Sequence, residues 1–111
     1  MKNKIMTNAQ LQKEFYRLNE RFFDGRLSCE VRFQAMPGVD GFFNPRYQRI
    51  AIKSSLKSSS SMVSIVLLHE MVHADLELRG YRGYPGDGGH GMLFQVELDK
   101  LYRMGCYDGL L

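Results

Sequence analysis

Nowhere does the chain hold an apolar run approaching the roughly 20 residues that a membrane span needs, so no membrane role is expected. The first ten residues, MKNKIMTNAQ, carry two lysines but lack the apolar stretch of about 7–15 residues that marks a secretory signal. The expected location is therefore cytoplasmic, or nuclear in a eukaryotic cell. Cysteine is scarce: Cys29 and Cys106 lie far apart, and neither belongs to a CxxC pair of the kind that builds a zinc ribbon. Both are read as free thiols. Basic residues form no cluster; the net charge of +3 is spread along the chain with acidic residues between. DNA is a partner that this charge admits, although a solvated basic surface accounts for it more simply. No internal repeat is present, and 111 residues suffice for one core. A single domain over residues 1–111 is expected, acting as a monomer.

The segment TNAQLQKEFYRLNERFF places Leu11, Phe15, Leu18 and Phe22 at helical spacing. Thr7 and Gln10 form a candidate capping box at its start, and Gly25 lies just past its end. SCEVRFQAM then alternates, with Val31, Phe33 and Ala35 on one side, as a half-buried strand does. Short strands are expected at GFFN and at RIAIK, the latter with Ile50 and Ile52 on one face, separated by a turn at NPRYQ. These predict a small antiparallel sheet of about three strands.

The serine-rich SSLKSSSS precedes a strongly apolar segment and is read as a helix entrance, with Ser59 or Ser60 as the cap. From about Met62 to Arg79, the residues Met62, Ile65, Leu68, Val72 and Leu76 recur at intervals of three and four, and Gly80 closes the pattern. The glycines and proline of YRGYPGDGGHG forbid regular structure. A last helix, apolar at Phe94, Leu98 and Leu101, is expected to begin close to His90.

The central helix contains His69-Glu70-Met71-Val72-His73. Residues four apart stand one above the other on a helix, so His69 and His73 present two imidazoles to one point in space, with Glu70 on the adjoining strip. This is the HExxH pattern, in which the histidines bind zinc and the glutamate takes a proton from the attacking water. Chance would produce it on the order of once in a few hundred chains of this length. The plainer account, structural histidines beside an acid, sits poorly with the most apolar helix of the chain, where charged groups are costly.

A catalytic zinc takes three protein ligands and keeps one position open. His90 is the remaining histidine; Glu97, from the last helix, and Asp87 are the acidic alternatives. A histidine six residues past His73 is excluded, because Leu76 and Arg79 stand where that spacing needs glycine and histidine. Tyr81, Arg82 and Tyr84 are candidate stabilisers of a developing oxyanion, each also readable as an ordinary loop residue. Asp75, Glu77 and Asp87 are candidates for orienting a ligating imidazole.

LLHEMVHA, a glycine-rich loop and then DGGHGMLF together resemble the SprT-like metalloproteases, whose pattern is HExxH followed by HGxxF. LNERFFDGRLS resembles the turn that precedes their first strand, so the likeness spans roughly residues 10 to 104. It implies an α+β, zincin-like fold with the HExxH helix packed between N- and C-terminal helices. It also implies zinc-dependent hydrolysis of protein or peptide substrates, with His90 of His90-Gly91-Met92-Leu93-Phe94 as the third ligand. The larger members carry a zinc ribbon or a DNA-binding tail, and this chain is expected to be the bare catalytic domain. Eukaryotic members cleave proteins crosslinked to DNA, so DNA-associated proteins are among the implied substrates. The competing reading is a zinc-stabilised module that binds protein or DNA with little turnover.

Overall fold

The computed structural model describes residues 5–81 and 91–106. Three α-helices, α1 (Asn8–Phe22), α2 (Ser60–Leu78) and α3 (Met92–Arg103), enclose a core shared with three strands, β1 (Glu30–Gln34), β2 (Gly41–Asn44) and β3 (Arg49–Lys53). The protein is thus α+β. Among the described residues no helix is long and apolar enough to cross a membrane.

The expected capping box closes α1: Thr7 Oγ1 accepts the Gln10 N–H at 3.2 Å, and Gln10 Oε1 accepts the Thr7 N–H at 2.8 Å. Its predicted stripe, Leu11, Phe15, Leu18 and Phe22, is buried. Gly25 follows at φ 69°, a conformation that costs glycine nothing. Ser59 caps α2 by accepting the Met62 N–H, and Gly80 at φ 82° ends it. α2 is buried around most of its circumference rather than along one stripe, because α1, β2, β3 and α3 all pack on it. Of its predicted stripe, Leu68, Val72 and Leu76 are buried, whereas Met62 is exposed near the entrance.

The sheet corrects the expectation of an antiparallel array. Its order is β1-β3-β2, with β1 parallel to β3 and only β2 antiparallel to it. The tight turn after Asn44, whose side-chain Oδ1 accepts the N–H groups of Arg46 (3.0 Å) and Tyr47 (3.4 Å), folds β2 back on β3 as a hairpin. That leaves β1 on the far flank, where Val31 lies beside Ile50 and Phe33 beside Ile52, all four buried on one face. Ala35, predicted to extend this face, lies beyond the end of β1 and is exposed.

The two sheet edges differ. Along β1, Gln12 Oε1 accepts the Val31 N–H (3.0 Å) and Asn8 Oδ1 accepts the Phe33 N–H (2.9 Å), so side chains of α1 close that edge. Along β2, the bond from Lys53 N–H to the Asp40 carbonyl (2.8 Å) sets the phase of the ladder. In an antiparallel pair the main-chain groups alternate inward and outward, so those of Gly41 and Phe43 point away from β3, to the outer edge.

Candidate metal centre

The buried middle of α2 holds the histidines where the spacing predicts. One nitrogen of His69, one of His73 and one carboxylate oxygen of Glu70 lie within 4.8 Å of one another. The two imidazole centroids are 5.2 Å apart. Both rings are half-buried, whereas Glu70 is buried. The two imidazoles and the carboxylate are close enough that the cluster could hold a metal ion. Helical geometry puts the two imidazoles on one face; the sheet determines where the acid goes.

The Glu70 carboxylate lies against β2. A Cβ built on Gly41 would stand 2.7 Å from Val66 Cγ1, 3.1 Å from Glu70 Cγ and 3.2 Å from Glu70 Oε2, so only glycine admits the helix this closely. Burial raises the Glu70 pKa to about 7, against the opposing effect of a hydrogen bond that the carboxylate accepts from the Phe43 N–H. The donor is one of the outward-turned groups of the β2 edge. Neither Gly41 nor Phe43 is identifiable from the sequence as part of the site, because the strand meets α2 only in the folded protein.

From α3, Phe94 closes the other side. Its ring stacks on His73 with centroids 4.5 Å apart at 29°, and lies 4.9 Å from His69 at 57°. The C-terminal half of the HGxxF element therefore packs on the HExxH pair. His90, at its start, lies outside the described residues, as do Asp87, Arg82 and Tyr84.

The remaining acidic candidates are engaged elsewhere. Glu97 pairs with Arg79 (3.1 Å) and Lys100 (3.2 Å); burial raises its pKa, but these two cations outweigh it and hold the carboxyl below its ordinary value. It is absent from the cluster of potential ligands among the described residues. Asp75, buried, accepts from Arg26 through Nε and Nη2, both at 3.2 Å, and pairs with Arg79 Nη2 at 3.0 Å. Its carboxylate thus serves a chain of ion pairs, Arg26–Asp75–Arg79–Glu97, that joins the loop after α1, the end of α2 and α3. Tyr81 is half exposed, with the Arg79 guanidinium 5.7 Å from its ring centroid.

Cys29 and Cys106 are both buried thiols. Burial pushes the Cys29 thiol up to about 11, which leaves it protonated and inert near neutral pH. Comparison with models of known protein families and with curated proteins gives no match.

Proposed function

We propose that the chain is a zinc-dependent metallopeptidase of zincin-like fold that hydrolyses protein or peptide substrates inside the cell, acting as a monomer, and that its likeness to SprT-like proteases extends to activity. The observation that carries this reading is geometric: a buried acid, Glu70, stands beside two converging imidazoles, His69 and His73. Burying an acid is costly without a use for it. A carboxylate held within reach of a water at such a site is placed as a general base must be.

His69 and His73 would hold zinc as neutral imidazoles, with His90 proposed as the third ligand. Bound zinc would supply Lewis acidity, polarising a peptide carbonyl and acidifying water. Glu70 takes the proton of the attacking water and later delivers it to the leaving nitrogen. The Phe43 N–H steadies the carboxylate between these transfers.

An extended peptide would lie along β2, pairing with the outward main-chain groups other than the Phe43 N–H that Glu70 takes, since the β1 edge is occupied by Asn8 and Gln12. Main-chain pairing reads little sequence, so the enzyme would tolerate varied side chains and depend on a flexible target. DNA-associated proteins are the substrate class that the family likeness suggests.

Metal analysis of the purified protein, beside a casein- or histone-cleavage assay with and without single-stranded DNA, tests the reading. One zinc per chain and cleavage that disappears in Glu70→Gln are expected. Zinc and a stabilised fold without cleavage would favour a zinc-stabilised binding module, and a chain that binds no metal would overturn both readings.

A further inference from the structure

HGxxF ends in an apolar residue that can neither bind a metal nor move a proton, yet Phe94 is one of the largest fully buried side chains of the protein. Its contacts are specific. The ring lies nearly parallel to the His73 imidazole at 4.5 Å and tilted against His69 at 4.9 Å, while the imidazoles stand 69° apart at 5.2 Å. The three rings thus form a closed triangle in which Phe94 touches both histidines. Rotation of the stacked His73 imidazole about its last side-chain bond, a broad torsion with no sharp preference of its own, would carry ring atoms into the Phe94 face.

The helix bearing this ring is anchored one turn further on. Glu97 receives Arg79 Nη2 at 3.1 Å, and Arg79 is itself held by Asp75 at 3.0 Å, with Arg26 completing the chain. The aromatic stack and the Arg79–Glu97 pair thus hold α3 against α2 beside the core contacts of Leu98 and Leu101.

We infer that Phe94 is a positioning residue of the metal centre, setting the planes of His69 and His73 so that their nitrogens converge, and that Arg79 and Glu97 hold it in place. This rests on the proposed metal-binding reading and adds a role to a residue that neither ligates nor transfers protons. A ligating imidazole gains affinity when neighbours fix its orientation, and loss of such support costs 10–100-fold in metal binding.

The test compares Phe94→Leu, which keeps an apolar side chain but loses the flat face, with Phe15→Leu in the core under α1. Three quantities are read: melting temperature without metal, zinc affinity by chelator competition, and the imidazole nitrogen–proton NMR spectrum of the metal-free protein. Both variants are expected to lower the melting temperature. Only Phe94→Leu should weaken zinc binding, by roughly tenfold or more, and alter the His69 and His73 signals. Glu97→Gln, which leaves the apolar core intact, is the second variant and should move the same two readouts in the same direction by less. Wild-type affinity and imidazole signals in both Phe94→Leu and Glu97→Gln would overturn the inference, as would an equal affinity loss in Phe15→Leu. If the unaltered protein binds no zinc, the metal reading fails by itself, and the metal-free imidazole spectrum of Glu97→Gln, in which the Phe94 ring remains, still decides whether the placing of Phe94 orients the rings.

Discussion

The carboxylate of Glu70 accepts a hydrogen bond from the main-chain N–H of Phe43, so the acid of the central helix is held by the outer edge of the sheet. The edge against which a peptide would pair is thereby also the element that positions the proposed general base. The proposed chemistry consequently depends on how closely β2 approaches α2.

Gly41 controls that approach. Gly41→Ala would drive a methyl group to 2.7 Å from Val66 Cγ1 and 3.2 Å from Glu70 Oε2. The strand must then move off the helix, with an expected stability loss of about 1–3 kcal/mol and a larger fractional loss of peptidase turnover than of zinc content. Urea denaturation, metal analysis and a peptidase assay on the variant would check this; turnover equal to that of the unaltered protein would show that the spacing is not needed.

Glu70→Gln should keep the fold and the metal but lose hydrolysis by at least about 10²-fold, because an amide cannot accept the proton of the attacking water. Cleavage at the original rate would remove Glu70 from the mechanism.

Without metal, the same carboxyl should make stability depend on pH. Its folded pKa of about 7 lies above the ordinary value of 4.5. The folded state therefore binds this proton more tightly than the unfolded chain does. The contribution of this group to stability is fully present below the unfolded value, falls as pH rises from about 4.5 to about 7, and is then level, a loss of about 3 kcal/mol. Denaturation of the metal-free protein and of Glu70→Gln across this range provides the measurement, and the variant should lack this component of the slope. Equal slopes would mean that burial does not raise the pKa.

Asp75→Asn would leave the Arg26 and Arg79 guanidinium groups facing a neutral amide. Since both arginines retain partial solvent access, the expected cost is about 1–3 kcal/mol. Hydrogen exchange should rise in α3, because Arg79 also carries the link to Glu97. Unchanged protection of α3 would show that the helix is held by its apolar contacts alone.

His90→Ala should weaken zinc binding by far more than Asp87→Ala, since only the first removes a proposed ligand. Equal affinities in a chelator competition would move the third ligand elsewhere.

Much of this was legible in the sequence, and local geometry explains which parts. The capping box of Thr7 and Gln10, the stripe of α1, the Ser59 cap and the Gly80 stop each depend on residues within a turn or two of one another. The placing of His69 and His73 on one face has the same origin: four residues of α-helix bring the two side chains together, although the planes of their rings are a tertiary matter. What only the tertiary structure decided involves partners distant along the chain. Parallel pairing of β1 with β3 depends on the hairpin turn after Asn44, which leaves one flank of β3 for a strand formed earlier; alternation within each strand gives its faces but not its neighbours. Asp75 and Glu97 read equally well as site residues until Arg26, forty-nine positions before Asp75, and Arg79 are seen to hold them. Glu70 is recognisable from its motif, but its burial, its raised pKa and its Phe43 donor exist only because a glycine lets the strand approach the helix. A side chain's type is written in the sequence, whereas its electrostatic environment is a property of everything packed around it.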